Sequence, residues 1–171
     1  MNKLTILNIL RFVLLIILQI LIINNVNLGS LVMPFLYLLA LLMLPTRLGK
    51  IPMLIIAFVT GLLVDIFCMG PGFHTFSYTL LAFARITFGN RMLTHGDPID
   101  IDVPSIHTVP FSRFAAYLFL MSFIYCASFY LLEAASFANF GLTLLAILLS
   151  TLSTWALLLL CQLLIGKENK I

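Results

Sequence analysis

Charge is the scarcest property of this chain. Of its 171 residues only 9% are Asp, Glu, Lys or Arg, while 63% are hydrophobic. Soluble domains average about 25% charged and roughly 45–50% apolar residues. The chain therefore lacks the polar surface that would cover a core in water. Catalytic signatures are missing as well. There is no HExxH, no GxSxG, no P-loop and no dinucleotide-binding glycine fingerprint. No pair of carboxylates lies inside an apolar run, so paired acid–base chemistry is not expected there. The three cysteines, Cys68, Cys126 and Cys161, fall in three different apolar runs without CxxC or metal-ligand spacing. They read as small packing residues. The net charge is +3, but its nine basic residues are scattered and form no patch for nucleic acid. No catalytic, metal or cofactor site is expected.

Long apolar runs dominate what remains. They cover residues 4–23, 28–44, 51–69, 73–88, 114–132 and 140–165. At 1.5 Å per residue, about 20 helical residues cross a hydrocarbon layer of roughly 30 Å. The expected fold is all-α: a polytopic membrane protein, one integral domain over residues 1–171, built as a six-transmembrane-helix bundle. The second and fourth runs are short, which local thinning of the bilayer accommodates. The first run follows Lys3, is interrupted by Arg11 and ends at Asn24-Asn25 without an A-x-A-like cleavage site. It reads as a retained helix.

Charge placement supplies an independent signal. With six spans, Lys3, Arg11, Arg47, Lys50, Arg85, Arg91, Arg113, Lys167 and Lys170 all fall on one side. The positive-inside rule makes that side cytoplasmic. Both termini and a long loop over residues 89–113 then lie inside.

Asp65 is the only carboxylate well inside an apolar run. An acidic residue at the centre of a membrane helix costs about 2.5–3.5 kcal/mol on insertion scales. The expected topology moves Asp65 toward the outer end of the third helix. There it precedes Gly70-Pro71-Gly72 and His74, with Asn24, Asn25 and Glu133 near the same surface. Gly61 lies one turn below Asp65, where a small residue lets another helix approach closely. Two readings stay open. Asp65 either locks the glycine-rich turn by capping or hydrogen bonding, or belongs to a polar cluster that meets a partner protein, a solute or a proton. Arg85 and Arg11 read as inner anchors that snorkel to the interface, the alternative being that they face the bundle interior.

Other polar and aromatic positions read more plainly. His95, Asp97, Asp100, Asp102 and His107 have no justified ligand spacing, and Pro98, Pro104 and Pro110 suggest an extended segment, read as a solvated loop or a docking surface. The hydroxyls of Ser150, Thr151, Ser153 and Thr154 are expected to bond backbone or a neighbouring helix. Phe73, Phe76, Tyr78, Tyr125, Phe129 and Tyr130 read as an interfacial aromatic belt. Few polar groups of the second and fourth helices are expected to face each other.

The run Gly61-Leu62-Leu63-Val64-Asp65-Ile66-Phe67, followed by Gly70 and Gly72-Phe73-His74, resembles the MreD family of rod shape-determining proteins. Asn24-Asn25, Pro34-Phe35-Leu36-Tyr37, Leu44-Pro45 and Leu132-Glu133-Ala134 with Phe137 are similar to the Bacteroidetes branch. Ile86 departs from that branch, which has proline after the arginine. The resemblance covers nearly the whole chain. It implies a non-enzymatic membrane scaffold of the cell-elongation and peptidoglycan-synthesis machinery in the bacterial inner membrane. The implied partner is an MreC-like single-pass protein, with indirect links to MreB, RodA and its transpeptidase. It also implies a fold like the substrate-binding subunits of energy-coupling-factor transporters. The rival expectation is therefore a vitamin- or solute-binding transporter subunit.

Overall fold

The computed structural model describes residues 13–19, 32–46, 48–68, 70–94, 103–106, 108–134 and 140–165. Among the described residues all regular structure is helical. After a helical stretch at 13–19 come α1 (Leu38–Leu42) and α2 (Lys50–Cys68). Helix α3 (Phe73–Ala84) runs on through a π-helical turn, Arg85–Gly89, into α4 (Asn90–Thr94). Helices α5 (Phe111–Glu133) and α6 (Phe140–Ile165) complete the order.

Among the described residues three helices are long and apolar enough to cross a membrane: Lys50–Cys68, Phe111–Glu133 and Phe140–Leu164. In the first and last, only 33% of the most apolar window is buried. Large side chains such as Ile55, Leu62 and Ile66 on α2, and Leu148, Leu152 and Leu163 on α6, point outward. Soluble monomers rarely expose apolar surface on that scale. Lipid is the solvent that suits it, and the chain is a membrane protein.

Helix α3 packs against both α2 and α5, and α5 packs against α6. The α2–α3 pair is drawn very close. A Cβ on Gly61 would lie 2.6 Å from Thr75 Cα and 2.9 Å from the His74 carbonyl oxygen. Any side chain there would meet backbone, so glycine sets the distance between the two helices.

The run expected to form a continuous helix over 28–44 does something else. Residues 32–35 are not helical, and the only α-helical part among its described residues is the five residues of α1. Pro34 explains the interruption, since it lacks an N–H and disfavours helical geometry in the residue before it. All residues from Phe35 to Leu42 are nonetheless buried. Irregular backbone at membrane depth is tolerated only where other groups satisfy it, and side chains do so here. The Gln19 side chain donates from Nε2 to the Pro34 carbonyl at 3.2 Å and accepts the Leu36 N–H at Oε1 at 2.7 Å. Ser150 Oγ accepts the Met33 N–H and Thr154 Oγ1 accepts the Phe35 N–H, each at 3.1 Å. The described part of the second run is thus a plug inside the bundle, held by the first helical stretch and by α6.

The fourth run differs at its inner end. The sequence places that end at residue 88, before a loop over 89–113, but helix continues to Thr94, and α5 begins at Phe111. The π turn is the reason for the change of course. One extra residue in the turn rotates the helix beyond it, and Gly89 arrives against α5, where an added Cβ would sit 2.8 Å from Tyr117 Cε2.

Candidate functional site

Asp65 lies in the last turns of α2 and is 3% exposed. Its Oδ1 accepts the His74 N–H at 3.2 Å, and its Oδ2 accepts the Thr75 N–H at 2.7 Å. The Thr75 hydroxyl donates to Oδ2 as well. His74 and Thr75 are the second and third residues of α3, whose N–H groups have no partner within the helix. A capping side chain at the preceding position normally serves them. That position is Gly72, which has no side chain and takes φ 100°, a left-handed conformation suited to glycine. Asp65 therefore caps α3 from the neighbouring helix, with its negative charge at the positive end of the helix dipole. The Gly70 N–H closes α2 by donating to the Asp65 carbonyl at 2.8 Å. A Cβ on Gly70 would come within 2.7 Å of Asp65 Oδ1. Gly61, Asp65, Gly70, Gly72 and His74 meet in this one hairpin.

Asp65 touches the backbone of His74, not its imidazole. The ring turns into the bundle, where Nδ1 lies 2.8 Å from Tyr125 OH and 3.2 Å from Tyr37 OH. The two phenols are hydrogen-bonded to each other. Nδ1 and the two phenol oxygens thus form a mutually hydrogen-bonded triangle, in which either phenol can act as donor and the imidazole tautomer follows from that choice. Tyr78 OH donates to the Tyr37 carbonyl at 2.9 Å, and its ring stacks on Tyr37 at 4.7 Å. Phe129 covers the imidazole at 4.7 Å between centroids, and Phe35 meets Tyr125 edge-on at 4.9 Å.

This cluster corrects the aromatic-belt expectation. Tyr78 and Tyr125 are completely buried, Phe129 and Tyr130 nearly so, and of the six expected residues only Phe76 is exposed. The phenols do not need interfacial water because each finds an internal partner. For Tyr130 that partner is Ser150 Oγ at 2.7 Å. The cluster also corrects the expectation that the second and fourth runs share few polar contacts, since Tyr37 meets both His74 and Tyr78.

Arg85 does not snorkel. It is 0% exposed and donates from Nη1 to the Leu41 carbonyl and from Nη2 to the Leu44 carbonyl. Leu41 lies in the last turn of α1, where its carbonyl also accepts the Leu44 N–H at 3.1 Å, and Leu44 lies just beyond the helix, at an end with partial negative charge. A short helix ending inside the bundle needs such a donor, and the guanidinium fork reaches two carbonyls at once. The two buried charges thus serve two helix ends, Asp65 the start of α3 and Arg85 the end of α1.

Glu133 is the exposed last residue of α5. Asn24, Asn25, Arg11, His95, Asp97, Asp100, Asp102 and His107 lie outside the described residues. Among the described residues no group of three His, Cys, Asp or Glu could hold a metal. None of the three cysteines is in a disulfide; Cys126 is buried and the others are half-buried.

Chemically, the arrangement binds its own elements together. Asp65 carries three donors, His74 is occupied by two phenols, and a nucleophile–base–carboxylate relay is not assembled around either. Thr75, Tyr37, Tyr125 and Gln19 do not stand out from sequence as site residues. Gln19 carried a signal, as a buried-type polar residue inside an apolar run. Tyr37 carried one too, three residues after a mid-run proline. No family model, no curated protein and no solved structure matches this chain.

Proposed function

We propose that the chain is a non-enzymatic membrane scaffold of the MreD kind, which holds an MreC-like single-pass protein within the cell-elongation machinery. The observation that carries this reading is the plug. A solute-binding bundle keeps a cavity with convergent, free polar groups. Here Phe35, Tyr37 and α1 fill the centre of the bundle, and the backbone polar groups that the interruption exposes are taken up by Gln19, Ser150, Thr154, Tyr78 and Arg85. A filled, cross-braced interior suits a protein whose work is done on its outer surface. The broad apolar faces of α2 and α6 are available for lipid and for a partner's membrane helix.

In this reading the chain resides in the bacterial inner membrane and crosses it six times, the second crossing made by the largely irregular segment that carries α1, with both termini cytoplasmic. It reaches MreB, RodA and the RodA transpeptidase through the partner. Co-expression with a tagged MreC-like protein, followed by detergent purification, tests it. The two proteins should elute together at a fixed ratio. Failure to co-elute, together with a small molecule retained by the purified chain in native mass spectrometry, overturns the scaffold in favour of a solute-binding subunit. Cysteine accessibility at Pro71→Cys and Arg91→Cys, both exposed positions, in intact cells tests the orientation, with labelling from outside expected only at the former.

A further inference from the structure

The two ends of the helical bundle differ in charge. Tyr125 meets His74, and Tyr117 lies beside Gly89, so α5 runs antiparallel to α3. The first turn of α5 therefore shares an end with α4, which packs against it. Lys50 begins α2 at that same end, because the α2–α3 hairpin turns at the other. Lys50, Arg91 of α4 and Arg113 of α5 are all exposed. Asp65 and Glu133, the only carboxylates among the described residues, lie at the opposite end. Among the described residues, then, no carboxylate serves these three cations.

Helix α4 and the first turn of α5 are built alike. Each sends an apolar side chain into the core, Leu93 from α4 and Phe114 from α5. Each also presents an arginine beside an exposed phenylalanine. Phe88 is 55% exposed three residues before Arg91 on one continuous helix, and Phe111 is 57% exposed two residues before Arg113. Water suits neither ring, and hydrocarbon suits neither guanidinium. The boundary between headgroups and acyl chains suits both. We propose that Arg91 and Arg113 hold the phosphate of an anionic phospholipid at this rim, with Phe88 and Phe111 against its acyl chains. The guanidinium fork matches phosphate oxygens two at a time. A free phosphate lacks the apolar part that the rings call for. A zwitterionic headgroup brings its own ammonium beside the arginines, so a lipid of net negative charge is preferred. The lipid supplies the counter-charge that the described residues do not, and it fixes the depth of α4 and α5 in the membrane.

The test uses the full chain in nonionic detergent, supplied with equal amounts of phosphatidylglycerol and phosphatidylethanolamine. Native mass spectrometry reads the ratio of the two lipids retained. The parent is expected to favour phosphatidylglycerol by about tenfold. Combining Arg91→Gln with Arg113→Gln should abolish that preference, while Glu133→Gln at the other end should leave it intact. Added salt should weaken the parent's preference. A parent that retains both lipids equally, or a double variant that keeps the preference, overturns the proposal. So does a preference that emerges only when Asp97, Asp100 and Asp102 are changed to Asn, which would assign the arginines to the chain's own acidic segment. If the double variant does not fold, Arg113→Gln alone and the salt dependence decide.

Discussion

Asp65 on α2 holds Thr75 on α3 twice, because one carboxylate oxygen accepts both the backbone N–H at 2.7 Å and the side-chain hydroxyl. A helix start is therefore capped by a residue of another helix, and the cap and the packing of the α2–α3 hairpin are one interaction.

Removing that carboxylate should loosen the hairpin. Asp65→Ala leaves the His74 and Thr75 N–H groups unpaired, at about 1–3 kcal/mol for each buried donor. Asp65→Asn retains one acceptor oxygen and should lose roughly half as much. Thermal unfolding in detergent ranks the three proteins, with the parent most stable and the alanine variant least. An alanine variant as stable as the parent would remove Asp65 from the cap.

Gly61 should tolerate almost nothing. A methyl group there meets Thr75 Cα at 2.6 Å, and overpacking of this kind costs about 1–3 kcal/mol. Gly141 on α6 is the control, since a Cβ there meets nothing within 4 Å. Gly61→Ala should lower the melting temperature while Gly141→Ala leaves it unchanged. Equal effects at the two positions would contradict the close α2–α3 approach.

Arg85→Met keeps much of the side-chain volume and removes the donors. The Leu41 carbonyl then keeps only the Leu44 N–H, and the carbonyl of half-buried Leu44 loses the guanidinium. Hydrogen bonds to a charged group contribute about 1.5–3 kcal/mol each. Hydrogen–deuterium exchange should rise in α1 before it rises in α5 or α6. Uniform exchange across all three helices would show that the arginine has no special hold on the plug.

The plug should also respond to Gln19 and Thr154. Gln19→Leu removes the acceptor of the Leu36 N–H and the donor to the Pro34 carbonyl together, and Thr154→Val removes the acceptor of the Phe35 N–H. Each change should cost about 1–3 kcal/mol per stranded group. Since both act on one segment, the double variant should deviate from additivity. Additive losses, read from denaturant unfolding of the four proteins, would mean that the segment is not a single unit.

Much of this architecture is legible before any coordinates. Runs 51–69 and 140–165 differ from α2 and α6 by no more than a residue at either end, because a long uninterrupted apolar run has few other stable forms in lipid. The Gly61–His74 stretch is also recognisable as special, since a lone carboxylate in an apolar run, flanked by glycines, has no bland explanation. Run 28–44 reads as one continuous spanning helix, yet its described residues hold only the five-residue α1. Hydropathy reports that Phe35 to Leu42 are buried, and burial against lipid and burial against protein look the same on that scale.

Composition and the order of apolar runs by themselves determined that this chain lives in a membrane as a helical protein, because only intrahelical hydrogen bonding satisfies the backbone of such segments in hydrocarbon. The aromatics, Arg85 and the partners of Asp65 were decided by tertiary structure alone. Tyr37, His74 and Tyr125 are far apart in the chain, and their hydroxyls and imidazole choose each other over interfacial water only once three elements converge. Arg85 reads by sequence as a snorkelling anchor or an interior-facing residue, and the fold decides for the interior, because the carbonyls it serves, Leu41 of α1 and Leu44 just beyond it, lie where that short helix ends inside the bundle.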